Sequence, residues 1–348
     1  MTKTTIAEPR LSGDRARPAV LRPLAALALL VLFNAVFTPG FLGVDLRGGG
    51  LYGAPIDVLN HGSKVAVAAV GMTLVIAARG VDLSVGAVAA VAGAAAAALA
   101  VAGWSLPIVL AGALGTSIVA GVFNGVLVAA LRLQPIVATL VLMVCGRGAA
   151  QLICEGQVVV FAHDGLAFIG GGTLAGIPFP VVLAGLIVAA AVVTTRRTAL
   201  GLFVEAIGSN PDAARASAVP VGRVVVLAYA GSGVCAGVAG LIAAGDIKAA
   251  DANHAGLYLE LDAILAVVLG GTALTGGRFH IAASAVGAIF IQALTTTLYM
   301  HNVSPDVALV PKAIVVILVC LLSSPTWQEW RTRWRSSAAP PEPPGSTP

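Results

Sequence analysis

The sequence predicts an all-α, polytopic integral membrane helix bundle of about ten transmembrane helices, some of them Gly-interrupted. Three observations carry that prediction. Of 348 residues, 58% are hydrophobic and only 10% are charged, whereas a soluble domain carries about 25% charged residues. Too little polar side chain exists to cover a water-facing surface. Mean hydropathy is +0.96, and a hydrocarbon core about 30 Å thick needs about 20 apolar residues per helix, so the apolar residues suffice for roughly ten spans. Finally, 41 Gly residues and abundant Ala suit helices whose backbones approach closely in lipid. An aromatic content of 5% without alternating strands does not suit an outer-membrane barrel.

Each element follows in order along the chain. Residues 1–23 form a basic tail with Lys3, Arg10, Arg15, Arg17 and Arg22, and the run Leu24–Phe37 reads as a first, uncleaved helix. Apolar runs follow at 65–78, 85–103, 107–131, 136–154, 178–194, 224–244, 262–275, 281–299 and 307–322. The stretch 262–299 is Gly-interrupted and open to a re-entrant path. The transmembrane domain is thus 24–322, and 323–348 is a polar tail whose Pro-rich end is expected to be disordered. With the N-terminus inside, the tail, Arg79, Arg132, Arg196, Arg197, Arg215, Arg223, Arg278, Arg331, Arg333 and Arg335 fall on the cytoplasmic side, and Arg47, Lys64 and Lys248 do not. That asymmetry predicts both termini inside and an even number of spans.

The longest internal polar segment, 194–223, falls on the predicted inner face. Thr198–Ile207 has a short helical pattern, and Ser209-Asn210-Pro211-Asp212 reads as a turn and a helix start for Ala213–Ser217. Two short helices there suit either a partner-docking surface or an ordinary connection.

Polar breaks within apolar runs are the other informative feature. Arg79-Gly80-Val81-Asp82-Leu83-Ser84 separates two runs by a few residues. Asp82 or Ser84 is placed to cap the next helix; alternatively, irregular backbone at membrane depth lines a cavity. The run Val268–Arg278 carries two Gly pairs, Gly270-Gly271 and Gly276-Gly277, which are poor helix material. Arg147 and Lys312 sit inside apolar runs, where a charge faces the bundle interior or reaches toward an interface. Glu155, Glu260 and Asp262 lie near predicted periplasmic ends. The pairs Gly121–Gly125 and Gly233–Gly237 read as helix-packing seams within the chain or, alternatively, between two copies.

Absences bound the chemistry. No Lys follows a Gly, so there is no P-loop, and an ATP-driven process would need a separate nucleotide-binding subunit. HExxH, GxSxG and CxxC are absent, and the five His are dispersed. Cys145, Cys154, Cys235 and Cys320 lie in apolar runs as small hydrophobes. Hence no catalytic residue, metal or cofactor is expected, and no basic-aromatic surface points to nucleic acid.

GMTLVIAARGVDLSVGAV at Gly71–Val88, GLFVEAIGSNPDAARASAV at Gly201–Val219 and LELDAILAVVLGGTALTGGRF at Leu259–Phe279 resemble, in order, three motifs of the permease subunits of ribose- and galactose-type sugar ABC importers. Within that family, GRGAAQLICEGQVVVF at Gly146–Phe161 and DIKAADANHAGLYLELDAILAVV at Asp246–Val268 are most similar to galactofuranose permeases. Where the family's docking loop ends in a Ser-Gly-Ile type sequence, this chain has Ser217-Ala218-Val219. The resemblance implies a multi-pass bacterial inner-membrane subunit that imports a monosaccharide. It also implies a cytoplasmic ATPase that uses the ATP, a periplasmic sugar-binding protein and a second permease copy or paralogue, all in membrane lipid. It further implies an ATPase-docking loop at Glu205, Ala206, Gly208, Asn210, Ala214 and Arg215. Asp82, Ser84, Gly86, Gly270, Gly271 and Gly277 become pathway or broken-helix candidates. The alternatives are a branched-chain amino-acid ABC permease, an ion-coupled sugar carrier and a purely structural scaffold.

Overall fold

A computed structural model describes residues 16–47 and 50–323. The expected tail disorder and the arginines at 331–335 lie outside the described residues. The chain is a helix bundle: α1 (Ala16–Phe37), α2 (Ala54–Ala77), α3 (Val85–Val101), α4 (Leu106–Ala129), α5 (Pro135–Ile153), α6 (Asp164–Gly171), α7 (Phe179–Arg197), α8 (Ala199–Ser209), α9 (Pro211–Ala216), α10 (Val221–Ile247), α11 (Leu259–Leu269), α12 (Ile281–Met300) and α13 (Pro305–Ser323). Three antiparallel two-stranded ribbons interrupt the connections. They pair β1 (Asp45–Arg47) with β2 (Gly50–Tyr52), β3 (Val158–Val160) with β6 (Ala249–Asp251), and β4 (Thr173–Leu174) with β5 (Ile177–Pro178).

Every expected apolar run holds a helix, but not every helix is a full span. Among the described residues seven helices are long and apolar enough to cross a membrane: α1, α2, α4, α5, α7, α10 and α12. The other three runs hold α3 of 17 residues, α11 of 11 residues and α13 of 19 residues, apolar over Val307–Val319 among the residues whose side chains are described. The continuous run expected at 262–275 is corrected most. Its helix begins at Leu259 and stops at Leu269, because Gly270 caps it and Gly271 follows with φ +84°, a left-handed helix end that glycine adopts without a Cβ clash. Residues 270–280 then run on without helix. The second helix starts at Ala54 rather than near 65.

α2, α10 and α12 are the most buried long helices, whereas α1, α4, α5 and α7 leave most of their length exposed. α10 packs on α4, α2 and α3, and α12 packs on α2, α11 and α1. The α4–α10 seam uses the two expected glycine pairs against each other. A Cβ on Gly121 would meet the Tyr229 carbonyl and Gly233, and one on Gly233 would meet the Ser117 carbonyl. These seams lie within one chain, as small-residue helix packing in lipid requires. α1 is tied to α12 by Asn34, fully buried, whose side-chain N–H donates to Thr297 Oγ1 at 2.8 Å. Cys154 and Cys235 are buried within apolar clusters, and Cys145 is exposed.

Candidate transport and docking sites

Two regions at opposite ends of α2 gather the chain's polar residues. The first is a junction at the C-terminal end of α2. Thr198 and Asn210 start α8 and α9: Thr198 Oγ1 accepts from the Leu200 N–H, and Asn210 Oδ1 accepts from the N–H groups of Asp212 and Ala213 at 3.0 and 3.1 Å. These caps satisfy helix-end donors that would otherwise lack partners. Val204, Ile207 and Ala214 then bury their side chains with Ala77 and Val224. The Arg79 guanidinium donates to the carbonyls of Gly208 and Ser209 at 2.8 and 3.0 Å, and the Gly277 N–H donates to the Ala77 carbonyl at 3.0 Å. A Cβ on Gly208 would run into the Ala77 carbonyl and the Gly277 N–H. The α8–α9 pair therefore rests by backbone on the segments that lead into α3 and α12.

The docking-loop residues divide by this geometry. Gly208 and Ala214 are buried against their own chain and position the loop, so they offer no outward surface. Glu205 and Ala206 are half-buried, while Asn210 and Arg215 are exposed. Arg215 pairs with Asp212 at 2.9 Å, an exposed bridge of little energetic weight. His280, at the start of α12, faces Arg196, Arg278 and Glu205. Burial and then the two arginines hold its imidazole below the ordinary range, with Glu205 opposing. Ala218, which stands in the Gly position of the family's loop ending, has φ +60°.

The pathway candidates do not form one cluster. Asp82 is buried and accepts from the Ser84 N–H at 3.0 Å, from Ser84 Oγ at 2.6 Å and from Ser232 Oγ at 2.8 Å. Asn124 donates to Ser84 Oγ at 2.9 Å. Asp82 thus supplies the capping contact at the start of α3 and clamps α3, α4 and α10; Ser84 caps nothing by its side chain. Gly86 admits the close approach of Gly256 and Glu260, and Gly270 admits that of Ser284. Gly277 belongs to the junction. None of these six lines the large cavity described next.

That cavity, about 840 Å³, opens at the N-terminal end of α2. Its polar wall comes from Asp57, His61 and Lys64 of α2, Asp262 of α11, Gln292, Thr295, Thr296 and Tyr299 of α12, and Lys312 of α13. Lys312 Nζ donates to Asp262 Oδ1 at 2.7 Å, which explains the cation inside the last apolar run. His61 lies 3.5 Å from Asp246. Residues 254–258 close one side. They are held by the Arg147 guanidinium donating to the Ala255 carbonyl, and by β6 pairing with β3. In β6, next to His254, partial burial opposes charge on Asp251. Hydrogen bonds from the His254 ring and from the N–H groups of Asn253 and His254 outweigh it and hold the carboxyl below its ordinary range.

Sequence reasoning singled out Lys312, Asp262 and Lys64 but not the polar stripes that bring them into one wall, although a signal existed. Asp57, His61 and Lys64 recur at i, i+4 and i+7, as do Gln292, Thr296 and Tyr299, the spacing of one helix face. Such stripes inside apolar helices mark a face turned from lipid toward polar space.

A multi-helix membrane bundle with a polar cavity at one end and a built loop platform at the other defines a transport subunit. Residues 54–320 match the family described as "Branched-chain amino acid transport system / permease component", and the chain belongs to that permease family. The galactofuranose transporter permease protein YtfT of Escherichia coli (strain K12) is 52% identical over 307 residues, covering 88% of this chain and 90% of that protein. The fructose import permease protein FruF of Bifidobacterium longum (strain NCC 2705) is 38% identical over 199 residues, 56% of each chain. The ribose import permease protein RbsC of Escherichia coli (strain K12) is 34% identical over 197 residues, 56% of this chain and 61% of that protein. No solved structure matches.

Proposed function

We propose that this chain is the permease subunit of an ABC importer that carries a monosaccharide, galactofuranose first, inward across the bacterial inner membrane. The observation that supports this reading most is the seating of α8–α9 on Ala77, Arg79 and Gly277. ATP-driven import by a chain without its own P-loop would need an external motor, and this platform offers a rigid lever for one. A separate cytoplasmic ATPase uses the ATP and docks on the exposed side of α8–α9 through Glu205, Ala206, Asn210 and Arg215. A periplasmic sugar-binding protein delivers cargo at the cavity end, and a second permease copy completes the assembly. Both termini then lie in the cytoplasm.

The ATPase drives transport only by binding the loop differently in its two states, since equal binding shifts no equilibrium. The lever moves the segments that start α3 and α12, and α2 and the segment 259–280 extend from there to the cavity. Reconstitution with ATPase and binding protein tests the reading: uptake of galactofuranose requires ATP and receptor and survives collapse of the proton gradient. Gradient-dependent uptake without ATP identifies a secondary carrier instead. Glu205→Lys with Arg215→Glu is expected to leave membrane insertion intact and to uncouple ATP hydrolysis from uptake; wild-type uptake by that variant removes the docking assignment. The family's description favours one second reading, branched-chain amino-acid import, which ATP-driven leucine uptake would establish.

A further inference from the structure

The cavity's charges are arranged in a way that bears on cargo. Lys312 is paired with Asp262 at 2.7 Å, and the His254 ring meets Asp251 at 2.8 Å. The Lys312 charge is thus met by a carboxylate of its own chain. What faces the space without a full charge is the α12 stripe. Gln292 reaches Thr296 only at 3.5 Å, so its amide stays available, and Thr295 spends its hydrogen on the Ile291 carbonyl at 2.9 Å, leaving oxygen lone pairs to accept. All three side chains are partly exposed and line the cavity. A polyol needs alternating donors and acceptors, which a primary amide and two threonine hydroxyls supply. The volume of about 840 Å³ lies within the range of small-molecule sites.

Resting on the importer reading above, we propose that this cavity is a selecting chamber of the permease itself, in which Gln292, Thr295 and Thr296 bind the hydroxyls of a monosaccharide. The permease then adds its own discrimination to that of the soluble receptor.

The test uses proteoliposomes holding the complete complex, with sugar-loaded receptor at saturation. Gln292→Leu with Thr296→Val is expected to slow galactofuranose uptake by about tenfold or more, because two hydrogen-bonding groups are lost together. Thr296→Ser, which keeps the hydroxyl, is expected to retain most of the rate. Wild-type uptake by the double variant overturns the proposal, as does equal damage by Thr296→Ser and Thr296→Val, which would make the role one of packing. A second readout covers a variant that fails to assemble. In a chain whose four native cysteines are replaced by Ser, Thr296→Cys is labelled by a water-soluble maleimide. Galactofuranose with its receptor is expected to slow labelling and leucine is not; equal labelling in all three conditions overturns the chamber. Absence of any sugar uptake by the wild-type complex fails the importer reading instead, so the two failures are distinguishable.

Discussion

At one end of the bundle, α8 and α9 meet the rest of the chain through backbone groups, the Arg79 side chain and an apolar cluster around Val204 and Ile207; at the other, α2, α11, α12 and α13 turn polar side chains into a cavity. At the junction Gly208 lies so close to the Ala77 carbonyl and the Gly277 N–H that it has no room for a Cβ, so motion of the loop passes directly into the adjoining segments. The cavity wall is made of Gln292, Lys312, Asp262 and their neighbours, whose side chains can change rotamer as a ligand enters. Rigid contact suits transmission of force, and adaptable contact suits transient binding. α2 and the segment 259–280 belong to both regions, with Lys64 and Asp262 at the cavity and Ala77 and Gly277 at the junction. A change at either end is therefore felt along two continuous stretches of chain.

The same substitution placed in each region tests this contrast most severely. Gly208→Ala puts a Cβ against the Ala77 carbonyl and the Gly277 N–H, both backbone atoms that cannot swing aside. Uptake by the reconstituted complex is expected to fall by more than about tenfold, the scale of a small misplacement in a coupled site. Gly62→Ala, near the cavity, meets the Ile289 Cδ1 atom at 2.9 Å, the end of a flexible side chain, and the Gln292 Cβ at 3.3 Å. There the gain in helix propensity, up to about 1 kcal/mol, offsets part of the repacking, and uptake is expected to fall far less than with Gly208→Ala. Equal effects of the two substitutions would break the comparison.

Next in size is the buried pair in the cavity wall. Lys312→Met leaves the Asp262 carboxylate largely buried and without its partner; the two side chains are 9% and 20% exposed. Removing one member of a buried pair costs about 3–5 kcal/mol, whereas replacing both by apolar groups is often neutral. The single variant is therefore expected to lower the unfolding temperature in detergent by several degrees, and Lys312→Met with Asp262→Leu to recover most of it. A double variant no more stable than the single one would show that the pair is not an isolated unit.

How legible each region was follows from how it is built. The junction is encoded in contiguous stretches, because caps, turns and Gly pairs act locally: Asn210 before Pro211, and Gly276-Gly277 before Arg278, are readable from neighbouring letters alone. Their meeting with Arg79 and Ala77 was not readable, since tertiary packing decides it. The cavity was missed because its residues are spread over α2, α11, α12 and α13, each a polar interruption in an apolar run. The apolar run beginning near 65 concealed the first turns of α2, where Asp57, His61 and Lys64 lie; polarity that faces the cavity reads in one dimension as a loop. The eight-residue α6 and the three short ribbons were hidden in the same way, being too brief to show a period.

The smallest expected effect lies at the end of the docking loop, where the departure from the family pattern coincides with backbone strain. Ala218 has φ +60°, a left-handed conformation that costs an L-residue with a Cβ about 1–2 kcal/mol. Its N–H donates to the Arg215 carbonyl and the Val219 N–H to that of Ala214, so these hydrogen bonds hold the turn in that conformation. Ala218→Gly removes the Cβ clash but adds freedom to the unfolded chain, worth about 0.4–1 kcal/mol in the opposite direction. The net expectation is a stabilisation of between zero and about 1.6 kcal/mol, from the difference of these two effects, seen as a slightly raised unfolding temperature with uptake unchanged. A lowered unfolding temperature would mean that the Ala218 methyl makes a packing contact worth more than the strain it imposes. The junction would then depend on side-chain packing at its edge as well as on backbone contact at its centre.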